Sequence, residues 1–138
     1  MQTTKRYLDQ LTYKVIGCAI EVHKALGPGL LESVYERCFL RELLLRDIGF
    51  KNQISVPLNY KGILLNAELR LDVLVEDVLC VELKAIEGLL PIHDAVLLSY
   101  MRMLEKPKGL LINFHSAHIF KEGQKTLVNN LFTALPEL

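Results

Sequence analysis

The chain reads as an α/β domain, a mixed β-sheet flanked by helices with elements in the order ααβββαββα. Three observations predict it. Apolar residues recur at spacings of three and four up to Gly27, and again from there to Gly49. Apolar and polar residues alternate over two runs between Leu69 and Ala85, and a helical stretch after Pro91 leads into the apolar run Gly109 to Phe114. At 138 residues, 51% of them hydrophobic, the length suits one domain, 1–138, with a sizeable core.

Leu8, Leu11, Val15, Ala19, Val22 and Leu26 define one amphipathic helix that Gly27-Pro28-Gly29 ends. A second helix is expected from about Leu30 to Ile48, with Leu31, Val34, Tyr35, Cys38 and Leu45 among its apolar positions and Gly49 as its left-handed stop. Ile54 to Tyr60 is expected to be a strand at an edge or bulge because of Pro57, and Lys61-Gly62 turns it into a long run ending near Val75. After Gly88 and Pro91, a helix from about Ile92 to Leu104 should turn Val96, Leu97, Tyr100 and Leu104 inward. Gly109 to Phe114, apolar on both faces, suits a central strand. A last strand near Ile119 to Lys121 and a short helix from about Gln124 to Phe132 complete the chain.

Two of these runs carry chemistry. Leu69, Leu71, Val73 and Val75 alternate with Arg70, Asp72 and Leu74, while Val81, Leu83 and Ala85 alternate with Cys80, Glu82 and Lys84. Both runs are apolar at odd positions, so a hairpin that buries both rows pairs odd with odd and needs a loop of odd length or a bulge. The simplest such register pairs Leu74 with Val78, sets Asp72 opposite Cys80 and Arg70 opposite Glu82, and makes Asp72 and Glu82 diagonal neighbours about 7 to 8 Å apart. Two carboxylates and a lysine on one face could then hold a divalent cation. The plainer reading is a solvated strand face with an Arg70–Glu82 ion pair, worth roughly 0 to 1 kcal/mol.

Sixteen basic and sixteen acidic residues cancel, so no general field draws the chain to nucleic acid and any such contact must be local. Cys18, Cys38 and Cys80 are odd in number and lack metal-ligand spacing, which fits reduced thiols in a cytoplasmic protein. No signal-like apolar segment or membrane-length stretch is evident, so no membrane partner is expected. His23, His115 and His118 are scattered, and His93-Asp94 at a helix start reads as an amide cap ahead of a proton relay.

Gly29-Leu30-Leu31-Glu32-Ser33-Val34-Tyr35 matches the motif that names the GxxExxY family. Leu71-Asp72-Val73-Leu74-Val75, Val81-Glu82-Leu83-Lys84-Ala85, Pro91-Ile92-His93 and Gly109 to Phe114 match it further, in the same order. The chain thus resembles that family from about Tyr13 to Asn129, and through it the PD-(D/E)xK nuclease-like superfamily, whose restriction-endonuclease-like core runs αβββαβ. The resemblance implies that Asp72 and Glu82 are the acidic metal ligands, Lys84 the catalytic lysine and Glu32 the first-helix glutamate. One position departs: Val96 stands four residues before Tyr100 where many relatives carry glutamine.

On that resemblance, Asp72, Glu82 and the Leu83 carbonyl would hold Mg²⁺ or Mn²⁺, Lys84 would position the attacking water-derived nucleophile, and Glu32 would reach the ion directly or through water. With no cation, three carboxylates facing one or two positive groups should repel and raise one carboxylate's pKa. The expected activity is a nuclease cutting phosphodiester bonds in DNA or RNA. The alternative is a non-enzymatic module that uses the fold to bind a protein or nucleic acid. The many apolar residues also allow for a homodimer, in which two sites would address two strands.

Overall fold

The computed structural model describes residues 3–138. Its elements are α1 (Lys5–Leu26), α2 (Glu32–Leu45), β1 (Phe50–Ser55), β2 (Leu58–Tyr60), β3 (Ile63–Leu65), β4 (Arg70–Val75), β5 (Leu79–Lys84), α3 (Pro91–Leu104), β6 (Lys108–Asn113), α4 (Ile119–Glu122), β7 (Gln124–Val128) and α5 (Asn130–Thr133). Five strands form a mixed sheet in the order β1-β4-β5-β6-β7, antiparallel except for the β5–β6 pair. The α/β class with a helix-flanked mixed sheet is as the sequence predicts.

Thr4 starts α1 by accepting the Tyr7 N–H at 3.0 Å, and Gly27 ends it at φ 67°, where only a residue without a β-carbon sits at no cost. The buried stripe of α1, including Val15, Ala19 and Val22, packs with Tyr35, Phe39 and Leu43 of α2 against Val73, Val81, Leu83, Leu110 and Ile112. On the other face α3 lays Leu97 and Met101 over Leu74, Cys80 and Leu111. Gly109 permits this approach, because a β-carbon there would lie 2.6 Å from Met101 Sδ. With helices on both sides, β6 is buried at every position.

Several boundaries differ from the sequence reading, each for a local reason. Helix α2 stops at Leu45, and Asp47, at φ 57°, takes the left-handed position expected of Gly49. Its core residues are Tyr35, Phe39 and Leu43, whereas Leu31, Val34 and Leu45 are exposed. The strand expected over Ile54 to Tyr60 begins at Phe50 and breaks at Pro57, which has no N–H for a ladder. Beyond it β2 and β3 pair only with each other, around a Lys61-Gly62 turn with both residues left-handed. In α3 it is Met101 that is buried beside Leu97, while Val96, Tyr100 and Leu104 are half-buried.

The C-terminal elements are exchanged in type. Ile119–Glu122 is a helical turn whose His118 side chain accepts the Lys121 N–H, and Gln124–Val128 is a strand that covers the edge of β6. The free ladder edge of β6 decides the outcome there. Asn129 then caps α5 by accepting from Leu131 and Phe132.

One tyrosine fixes how the two long helices meet. Tyr35 is fully buried, stacks on Phe114 with ring centroids 4.6 Å apart, donates from its hydroxyl to Gly27 O at 2.5 Å and accepts the Leu30 N–H at 3.1 Å. That hydroxyl holds the turn from which Glu32 emerges. Tyr35→Phe keeps the ring but strands the Leu30 amide, so a loss of about 1 to 3 kcal/mol is expected in urea unfolding; an unchanged midpoint would mean water replaces the hydroxyl without cost.

Candidate active site

The β4–β5 connection is of odd length, as the parity argument requires, but the register is shifted by two residues. Glu76 and Asp77 both adopt left-handed backbone, the Val78 N–H returns to Val75 O at 3.0 Å, and the ladder pairs Val75 with Leu79, Leu74 with Cys80 and Val73 with Val81. Val78 thus belongs to the turn, and Asp72 lies across from Glu82 instead of diagonal to it. The expected Arg70–Glu82 pairing is absent, since Arg70 Nη1 donates to Gln53 O at 2.9 Å.

At this point the two strands part, and the carboxylates take over the hydrogen bonding between them. The Asp72 N–H donates to Glu82 Oε1 at 3.0 Å, and the Leu83 N–H donates to Asp72 Oδ2 at 2.8 Å. Each acid is therefore held by the backbone of the opposite strand. Leu71, beyond the fork, no longer shares a face with Val73 but packs with Leu74, Cys80 and Leu97 under α3.

Lys84 follows two residues along β5, with Nζ 3.9 Å from Glu82 Oε2. Its carbonyl accepts the Phe114 N–H at 2.8 Å, and it pairs with Asn113 in the parallel β5–β6 ladder. Buried Asn113 clamps the loop beyond it, donating to Ile86 O at 2.9 Å and accepting the Ile86 N–H at 3.1 Å. Glu32, the first residue of α2, approaches from the helix side, where the Ala85 backbone amide and the Lys84 charge both favour its ionised form. Asp72, Glu82 and Lys84 thus lie side by side across the two strands, with Asp72 and Lys84 half-buried, and exposed Glu32 feels the charges of Lys84 and Asp72 from the start of α2. Leu83 contributes backbone there, while its side chain lies in the core.

Negative charge is in excess at this site. Burial, and then Asp72, push the Glu82 carboxyl up from 4.5 to about 7, against the opposing pull of the Asp72 N–H and Lys84. Glu32 is raised as well, its carboxyl partly desolvated although the residue as a whole is exposed, with Lys84 opposing the rise and Asp72 and Glu36 adding to it. Burial raises the phenol of half-buried Tyr100, and the charges of Glu82 and Asp72 add to the rise. Burial is the larger cause of both carboxylate shifts, and repulsion among the neighbouring acids adds to it.

Two polar residues of the site escaped the sequence reading. Gln53 of β1 donates through Nε2 to Glu36 Oε1 at 2.7 Å and to Asp72 Oδ1 at 3.3 Å. Glu36 lies one helical turn beyond Glu32, and that i, i+4 acid pair is the one signal that could have flagged it. His93 Nδ1 accepts the Leu90 N–H at 2.8 Å and so caps the start of α3, whereas Asp94 pairs with Lys125 and ties α3 to β7. His23 ties α1 to Ser116 O at 2.8 Å.

As placed, no three His, Cys, Asp or Glu side chains among the described residues form a ready cation cluster, and the two strand carboxylates accept hydrogen bonds from the backbone. The donor types nevertheless fit a hard divalent ion: carboxylate oxygens, with surplus negative charge that such an ion would neutralise.

Among the described residues no helix is long and apolar enough to cross a membrane. A family model described as the PD-(D/E)XK nuclease superfamily matches residues 9–126. No curated protein and no solved structure matches the chain.

Proposed function

Because the chain belongs to the PD-(D/E)XK nuclease superfamily, we propose that it hydrolyses phosphodiester bonds of DNA or RNA at the fork between β4 and β5, using Mg²⁺ or Mn²⁺. The observation that carries the reading is the cross-strand pair Asp72 and Glu82, fixed by backbone N–H groups, with Lys84 beside it. The sequence Gly29 to Tyr35 further supports the narrower GxxExxY grouping, with Tyr35 holding the turn that presents Glu32.

In this reading Asp72, Glu82 and the Leu83 carbonyl would hold the cation. The ion, when bound, supplies Lewis acidity to the phosphate and lowers the pKa of an attacking water. The chain's own groups do the rest. The Lys84 ammonium orients the water oxygen that bonds to phosphorus and offsets charge gathering on the phosphoryl oxygens as the bond to the leaving oxygen breaks. Glu32 would reach the cation directly or through a water. With a net charge of zero, the chain gives the substrate little long-range attraction, so binding should be local and only modestly salt-dependent.

The test is cleavage of single- and double-stranded DNA and RNA by purified protein in Mg²⁺ or Mn²⁺, alongside Asp72→Asn and Lys84→Ala. Cation-dependent cutting that both substitutions abolish is the expected result. Cutting that survives them belongs to a contaminant, and no cutting on any of the four substrates would overturn the proposal.

A further inference from the structure

We propose that Gln53 is a positioning residue for the nuclease site, fixing Asp72 and Glu36 through one carboxamide; the inference rests on the nuclease reading given above. The amide nitrogen carries two hydrogens and reaches both acids, at 2.7 Å to Glu36 Oε1 and 3.3 Å to Asp72 Oδ1. Being neutral, it orients the carboxylates without cancelling the charge that a cation needs. A lysine or arginine in the same place would compete with the ion.

The backbone supplies an independent argument. Gln53 lies inside β1 at φ 50°, the left-handed region that favours glycine. The five other non-glycine residues with positive φ among the described residues, Asp47, Lys61, Glu76, Asp77 and Glu105, lie in turns or at helix ends. The β1–β4 ladder pairs Asn52 with Val73 and Ile54 with Leu71 but omits Gln53 with Asp72. The Gln53 side chain is exposed, so core packing does not repay the strain, whereas its contacts with the two acids can. Arg70 secures the unusual backbone by donating to Gln53 O at 2.9 Å. A strained residue whose side chain reaches a reactive cluster is what a site under positional demand retains.

The two roles, positioning and plain structure, make opposite predictions for Gln53→Gly and Gln53→Asn. Glycine relieves the backbone and removes the amide, and asparagine tolerates the backbone but is one methylene too short. Full-length protein is melted in EDTA, titrated calorimetrically with Mn²⁺, and assayed for cleavage at saturating Mn²⁺. The expected result is a melting temperature equal to or above wild type in both variants, with Mn²⁺ affinity or kcat lowered by about 10- to 100-fold. A melting temperature that falls in step with cleavage makes Gln53 merely structural and overturns the inference. So does an active wild type whose variants bind and cut within about twofold of it. A wild type that neither binds Mn²⁺ nor cuts defeats the nuclease reading itself, and this inference with it.

Discussion

Asp72→Asn should lower single-turnover cleavage by roughly a thousandfold, about 4 kcal/mol of transition-state stabilisation, while leaving the fold nearly as stable as before. The size follows from the charge. Asparagine keeps the shape and can still accept the Leu83 N–H, but it no longer supplies a negative oxygen to a cation. Stability is set by two opposed terms of similar size. Asp72 accepts from Leu83 with one oxygen and from Gln53 with the other, and an amide can serve only one of those donors, a loss of about 1 kcal/mol. In return, the repulsion that Asp72 exerts on Glu82 disappears. Rates within tenfold of wild type would show that Asp72 is a strand fastener and no more.

Glu82→Gln should separate stability from activity still more sharply. The Glu82 carboxyl is raised from 4.5 to about 7, with burial the first cause and Asp72 the second. The folded protein then binds the proton more tightly than the unfolded chain. The group's contribution is fully present below about pH 4.5 and is lost as the pH rises through about 7. A shift of this size corresponds to about 3 kcal/mol, undiminished by solvent because the residue is only 6% exposed. Glutamine removes the charge and keeps an acceptor for the Asp72 N–H. In EDTA at pH 8 the variant should therefore be more stable than wild type by up to about 3 kcal/mol and lack this component of the pH slope. Burial is the first cause of the Glu32 and Glu36 shifts, and Glu82 is not among their causes, so most of the difference between the two profiles should come from Glu82. Mn²⁺ at pH 8 should stabilise wild type and not the variant. Parallel urea-unfolding profiles from pH 5 to 8 would remove the electrostatic account.

Much of this architecture is legible in the sequence because it depends on periodicity and on a few backbone-specific residues. Helix α1 is bounded by Gly27, and β4 and β5 declare themselves by alternation. Their parity is readable too, since it depends only on which positions are apolar. The register is not, because Val78 looks like a strand residue. Only the left-handed pair Glu76 and Asp77, with the return of the Val78 N–H to Val75, puts it in the turn. Gln124–Val128 misleads in a different way. Leu127 and Val128 stand about a helical turn from Leu131 and Phe132 and mimic a helix, but pairing with β6 overrides the local pattern.

The site follows the same division. Strand face and motif together mark Asp72, Glu82 and Lys84, and the motif alone marks Glu32, whereas Gln53 and Glu36 carry no such mark. Gln53 meets its partners across 17 and 19 residues, from a strand with no apolar alternation to place it. Asn113 could have been suspected, as the polar residue that closes the buried apolar run of β6.

The fork where β4 and β5 separate gives the two acids a double duty. They are reagents in the proposed chemistry and also the acceptors that seal two otherwise bare amides, those of Asp72 and Leu83. A descendant of this chain that gave up cutting could not discard them freely: alanine at either place would leave an amide without its acceptor. Exchange of one oxygen for nitrogen, to asparagine at 72 and glutamine at 82, silences the chemistry and leaves the seam closed. Retired copies of the fold should therefore carry carboxamides at these two addresses, and their presence in a sequence would be a sign of lost catalysis with the architecture kept.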